Sequence, residues 1–335
     1  MYNTLKTLCL IPSISGREER IREKIKEMIS PLADECYTDN LGNLIAVKRG
    51  NTKDSDSKKK IMLCAHMDEI GFIVTYIEEK GFIRVSTVGG INLVASSCSQ
   101  VISERGVKGV LVPESGVKAA DFSADKFVID IGAKSRKEAE RRVKIGDFFV
   151  VNPSLARLCG SRVCGRPIDD RIGCAVMIKL AESLKDKPCA HDIYYAFSVQ
   201  EEVGCRGAKP AAFGISPDYA LVYDVAGTGD TLGAKPMECA VGHGAAIKIK
   251  DSSVICHSEV VDRLRSVAEE KGIPHQLEIL TYGGTDTSSI QMSGFGCRAG
   301  ALSIPTRYIH SSVEMADIAD AEACVALSEA FIESI

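Results

Sequence analysis

Residues 61–77 read IMLCAHMDEIGFIVTYI, and two kinds of structure meet inside them. Ile61–Ala65 is a short apolar run of the length of a buried strand, and it stops abruptly at His66-Met67-Asp68-Glu69. From Phe72 the text becomes a series of short β-type runs, GFIVTYI, GFIRVST, GVKGVLV, KFVIDIG and GDFFVVN, separated by Gly, charged or Ser-rich turns as far as Cys164. Only Ser135–Arg142 reads as helix there. Strands spaced this closely predict a small barrel or sandwich.

On either side of that stretch the pattern is different. Ser15 and Glu18 form an S-x-x-E capping box, and Ile21, Ile25, Met28 and Ile29 recur on one helical face, which predicts a helix over 17–29. GNTKDSDSKKK at 50–60 is a polar surface loop. Beyond Cys164, helical stretches at Arg171–Leu184, Glu259–Lys271 and Ala321–Ile335 alternate with apolar runs at Ile193–Val199, Tyr219–Tyr223 and Ala299–Ile304. This is α/β layering. The chain is therefore expected to fold as a discontinuous α/β domain made of 1–71 and 165–335, with a smaller β-rich domain inserted at 72–164.

Composition narrows the function. At 335 residues, two domains are expected. Forty-one basic against 45 acidic residues give a net charge of −4, so no global positive field is present to hold a nucleic acid. No apolar run reaches the roughly 18–20 residues needed to span a bilayer, and the opening lacks a charged start followed by an apolar core. No membrane partner is expected, and the chain reads as cytoplasmic. Thirteen cysteines without a C-x-x-C pair fit reduced, structural thiols. With no tryptophan and 6% aromatic residues, stacking platforms for sugars are scarce.

The acids and histidines fall at the ends of the apolar runs. IMLCA leads to His66, Asp68 and Glu69; IYYAFSVQ leads to Glu201-Glu202; YALVY leads to Asp224; ALSIP is followed by His310. In an open α/β sheet, ligands collect at the carboxyl ends of the strands, so residues from four strands can converge. Asp169-Asp170 sits just before the helix from Arg171, whose first peptide donors would orient a carboxylate. Two histidines among several carboxylates offer mixed nitrogen and oxygen ligation, suited to zinc, cobalt or manganese. Two such ions about 3.5–4 Å apart, bridged by one carboxylate, stabilise both attack and departure in hydrolysis.

Six motifs in order carry a resemblance: AHMDEIG at 65–71, IDDRIG at 168–173, QEEVGCRGA at 200–208, YDV at 223–225, YGGTD at 282–286 and PTRYIHS at 305–311. Together with PSISGRE near the start and the β-rich insert, they make the chain resemble the M42 metalloaminopeptidases, the glutamyl and deblocking type that assembles into tetrahedral particles. The resemblance covers nearly the whole chain. It implies a mixed-sheet metallopeptidase catalytic domain whose two divalent ions, zinc or cobalt, are held by His66, Asp169, Glu202, Asp224 and His310, with Asp169 bridging. It further implies Glu201 as general base and Asp68 as the carboxylate that orients His66. Gly284, Thr285 and Asp286 resemble a substrate-pocket loop, with Asp286 a candidate partner of the peptide amine. The implied partners are a peptide substrate and further copies of the chain, from dimer to dodecamer, with the β-rich insert at 72–164 implied as the assembly domain.

The chain departs from the family pattern at Ser312 and at Val241–Ala245, which each lack an expected proline. Gly242-x-Gly244 lacks the third glycine of a dinucleotide loop. The alternatives are another amide hydrolase, such as a deacylase or carboxypeptidase, more distantly a glycanase, or a noncatalytic scaffold.

Overall fold

Strand Lys60–His66 lies in the middle of an eleven-stranded mixed sheet in the computed structural model, which describes residues 1–52 and 57–335. The sheet runs Glu35–Thr38, Leu44–Lys48, Asp192–Ser198, Lys60–His66, Tyr219–Ala226, Arg298–Arg307, Glu314–Asp317, Arg162–Arg166, Ser154–Arg157. Two further strands, Ala245–Lys250 and His275–Ile279, branch from Arg298–Arg307. The four strands from Asp192–Ser198 to Arg298–Arg307 are parallel neighbours, so their carboxyl ends share one edge.

These central strands are near-continuous apolar runs because both faces are covered. Side chains alternate across the sheet. Ile61, Leu63 and Ala65 join Ile193, Tyr195 and Phe197 in a large core beneath helices Glu19–Ile29, Arg171–Leu184, Ser258–Lys271 and Ile318–Ser334. Met62 and Cys64 point the other way, with Tyr194, Ala196 and Val222, into a smaller core under helix Ala208–Ile215 and the short helix Asp286–Gln291. The helix expected at Arg171–Leu184 forms with those bounds. Each fully buried aliphatic or aromatic side chain contributes roughly 1.5–3 kcal/mol, so the two cores hold the strand ends rigidly in place.

The β-rich insert is a closed barrel of six strands, Gly71–Ile77, Ile83–Val88, Gln100–Ser103, Lys108–Pro113, Phe127–Asp130 and Phe148–Val151, around Phe72, Leu111, Phe127 and Phe149. It ends earlier than the expected boundary at 164. Ser154–Arg157 and Arg162–Arg166 pair with each other and then with Glu314–Asp317, so they belong to the large sheet. Their short alternating runs look like those of the barrel, but Leu155 and Val163 pack into the main core and Arg166 pairs with Glu314 there. The strand Gln100–Ser103 was too short to stand out.

The capping box also resolves differently. The first helix residue is Glu19, and Glu18 accepts the N–H of Gly16 at 2.7 Å, while Ser15 gives its hydroxyl to Asp68 at 2.7 Å. A distant carboxylate outcompetes the local cap. Of the expected loop at 50–60, residues 53–56 lie outside the described residues.

Candidate metal centre

Register brings the strand ends together. Ser198 pairs with His66 and Val222 with Cys64, so His66, the turn after Ser198 and Asp224 meet at one corner of the sheet edge. Nδ1 of His66 lies 3.2 Å from the backbone carbonyl of Asp68, which leaves Nε2 facing the centre. That Nε2 is 3.1 Å from Oδ1 of Asp169 and 4.0 Å from Oδ1 of Asp224.

Asp169 reaches the second histidine with its other oxygen. Oδ2 lies 3.3 Å from Nε2 of His310, and the same nitrogen is 3.1 Å from Oε2 of Glu202. Two triads result, His66–Asp169–Asp224 and Asp169–Glu202–His310, each offering ligand atoms within 4.8 Å of one another. Asp169 is common to both. Asp170 is turned away to cap the helix, its Oδ1 accepting the N–H of Gly173 at 3.0 Å.

The backbone is bent to make this possible. Gln200, Tyr308 and His310 have φ of +56°, +62° and +61°, left-handed values that non-glycine residues adopt at a cost. They aim Glu201, Glu202 and the His310 imidazole back over the sheet edge. Asp68, fully buried, ties the turn down: its Oδ1 accepts the N–H of Glu201 at 3.1 Å and its Oδ2 that of Glu202 at 3.2 Å.

The charge balance of this corner fits cations. Burial, reinforced by repulsion from neighbouring acids, pushes Glu201 and Asp224 far above the carboxylate range and raises Glu202. Burial works against the charge on Asp169 too, yet hydrogen bonds from His310 and His66 hold its carboxyl below the usual range. His310 rises to about 11 against the effect of burial, through Asp169 and Glu202. Buried acids outnumber the imidazoles that can neutralise them, a donor set that divalent ions would satisfy.

A cavity of about 500 Å³ opens over both triads, walled further by Val225, Leu280, Tyr282, Gly284 and Thr285. At Gly284 a Cβ would come within 2.9 Å of the Ser253 hydroxyl, so a side chain there would force Ser253 to shift. Asp286 departs from expectation. It is 1% exposed, sits behind the wall and accepts the Ser198 hydroxyl at 2.5 Å, so it does not face a peptide amine across the cavity. The Gly242-His243-Gly244 turn is structural: both glycine N–H groups donate to Asp320 at 2.7 Å.

Two parts of the centre were not read from the sequence. Glu314, fully buried, accepts the N–H groups of Ile168 (2.7 Å), Asp169 (3.1 Å) and His310 (3.2 Å), and pairs with Arg166 at 3.1 Å. It thus fixes both Asp169 and His310. Lys248, also buried, borders the cavity and pairs with Glu278 and with Asp251. A charged residue within an apolar strand, as Lys248 is in Ala245–Lys250, was the available signal; Glu314 gave none.

The family model for M42 glutamyl aminopeptidases matches residues 42–327. A relative from Acetivibrio thermocellus is 47% identical over 330 residues, covering 98% of this chain and 97% of that one. Among solved structures, an aminopeptidase from the archaeon Desulfurococcus kamchatkensis superposes with a TM-score of 0.94 at 36% identity, over 99% of this chain and 94% of that one. The TET1 peptidase of Pyrococcus horikoshii, which can assemble into a tetrahedron or a large octahedral shell, gives 0.86 at 36% identity, over 99% and 98%.

Proposed function

The chain belongs to the M42 glutamyl aminopeptidase family, and from that membership and the geometry of the centre we propose that it is a two-metal aminopeptidase releasing the N-terminal residue of short peptides. The observation that carries the two-metal reading is the division of one carboxylate between two imidazoles, Asp169 Oδ1 toward His66 and Oδ2 toward His310. His66, Asp169 and Asp224 would hold one ion, and Asp169, Glu202 and His310 the other, with zinc or cobalt suited to the mixed donors. Bound there, such ions supply Lewis-acid polarisation of the scissile carbonyl and make water nucleophilic at neutral pH.

The chain's own residues do the rest. Glu201 borders the cavity, belongs to neither triad and is held by its N–H on Asp68; it takes the proton of the attacking water and returns it to the leaving amine. Asp68 fixes the His66 ring and the Glu201 turn at once. Gly284 and Thr285 bring backbone close to the bound peptide. Arg307, the cavity's arginine, is engaged by both carboxylate oxygens of Asp230 and offers no clamp for a C-terminal carboxylate.

The test is a matched set of peptides, free, N-acetylated and C-amidated. Acetylation should lower kcat/KM by tenfold to a few hundredfold, since an acylated amine is no longer a partner for the centre's ion or for Glu201 beside it; amidation should change little. An acetylated peptide cleaved as fast as the free one points to a deacylase or endopeptidase, and hydrolysis indifferent to chelation to a glycanase.

The active form is a homo-oligomer. Phe213, Met292 and Phe295 stand exposed at or near helices Ala208–Ile215 and Asp286–Gln291, which pack together, and apolar side chains so placed are characteristic of a covered face. Light scattering that finds only monomer at micromolar concentration with metal present contradicts this. No helix among the described residues is long and apolar enough to cross a membrane. All thirteen cysteines are free, which suits the reducing cytoplasm in which we place the enzyme.

A further inference from the structure

One group of side chains at the rim of the centre joins Glu201 to two residues, Cys205 and Asp286, that have no part in the reaction just described. Cys205 follows Glu201 by four residues, and its thiol donates to Oε1 of Glu201 at 3.0 Å. Asp286 comes from the start of the short helix Asp286–Gln291, and one ligand atom from each of Glu201, Cys205 and Asp286 falls within 4.8 Å of the others. This group shares no member with the two triads around Asp169.

Asp286 supplies the independent sign that something positive belongs there. It is 1% exposed, and its Oδ2 is occupied by the Ser198 hydroxyl and, at 3.8 Å, the thiol of Cys64. Its Oδ1 has no hydrogen-bond partner. A buried carboxylate oxygen without a donor is costly, and a cation with room among oxygen and sulfur donors removes the cost.

We propose that Glu201, Cys205 and Asp286 form a third cation site, selective for soft divalent ions such as zinc and cadmium, whose occupation stops turnover. On binding, the Cys205 thiol gives its proton to solvent and a metal–sulfur bond replaces the S–H···O contact with Glu201. Zinc–sulfur and zinc–oxygen bonds of about 2.3 and 2.0–2.2 Å put the ligands of a tetrahedral ion roughly 3.5 Å apart; the thiol and Glu201 stand at 3.0 Å and the whole group within 4.8 Å, a spacing that modest side-chain rotation brings to that value. The thiolate favours zinc or cadmium over magnesium or manganese. A carboxylate bound to such an ion no longer accepts a proton, so excess zinc becomes an inhibitor of an enzyme that uses zinc. The inhibition, though not the site, rests on the proton role given to Glu201.

The test starts from the cobalt-loaded enzyme, wild type, C205S and C205A, with a variant lacking the exposed Cys98 and Cys159 as control for surface thiols. Each is dialysed against cadmium, and bound cadmium and the ultraviolet thiolate-to-cadmium band are measured beside activity. Wild type and the surface-cysteine variant should bind about one cadmium more than C205S and C205A and show the band. Their turnover should fall about tenfold or more, while C205S changes less than about twofold and matches wild type before cadmium is added. Equal cadmium content and equal bands in wild type and both Cys205 variants would overturn the site. Cysteine-dependent binding with undiminished turnover upholds the site and overturns the proton role of Glu201.

Discussion

The carboxylate of Asp68 holds the backbone of Glu201, its Oδ1 accepting that N–H at 3.1 Å. Glu201 stands in a turn after a different strand, so the residue two positions beyond His66 sets the start of the segment that carries both glutamates. Asp68 also receives the N–H of Glu202 and the hydroxyl of Ser15, and Oδ1 lies 3.5 Å from Nδ1 of His66.

Asp68→Ala should therefore weaken metal binding by about 10–100-fold, the usual cost of losing an outer partner of the ligands, because the turn carrying Glu202 loses its anchor while the residue-68 carbonyl stays on His66, and lower kcat further because Glu201 shifts with that turn. Chelator competition measures the first effect and saturating-metal kinetics the second. Unchanged metal affinity and kcat would remove Asp68 from the centre.

Glu201→Gln should leave two ions per chain and lower turnover by about 10²–10⁴-fold, the range for a lost general base. Glutamine keeps the shape and the contact with Cys205 but cannot take a proton. Normal turnover, or a loss matched by loss of metal, contradicts the role.

Glu314→Ala strips Arg166 of its buried partner and frees the N–H groups of Asp169 and His310 together. Breaking a buried pair of this kind costs about 3–5 kcal/mol. Denaturant unfolding should show the loss, and metal affinity should fall with it, although Glu314 touches no ion. A variant with wild-type stability and metal affinity would show that this carboxylate organises nothing.

How far the sequence could be read depends on the kind of contact. The central strands were legible because they are buried on both faces, and the acids at their ends stood out against apolar text. Helix Arg171–Leu184 announced itself by period and by Asp170 at its start. The end of the barrel was not legible, because Ser154–Arg157 and Arg162–Arg166 alternate like barrel strands and only their pairing with Glu314–Asp317 reveals where they belong. Ser15 was misread for a related reason: its hydroxyl serves Asp68, 53 residues away. Asp286 lies next to the small residues of the pocket loop in sequence, but the short helix it begins turns its carboxylate to Ser198. Glu314 is polar text in a polar stretch, and its importance comes entirely from three backbone donors that tertiary structure delivers.

The most direct test of the two-metal reading is the number of tightly bound ions per chain, measured by elemental analysis after dialysis against zinc and then buffer, in wild type, His66→Ala, His310→Ala and Asp169→Ala. Two ions in wild type, weakened retention at one position in each histidine variant and loss of both ions in Asp169→Ala are predicted, because only Asp169 belongs to both triads. Two ions held as tightly in Asp169→Ala as in wild type, or a single ion in wild type, would contradict it.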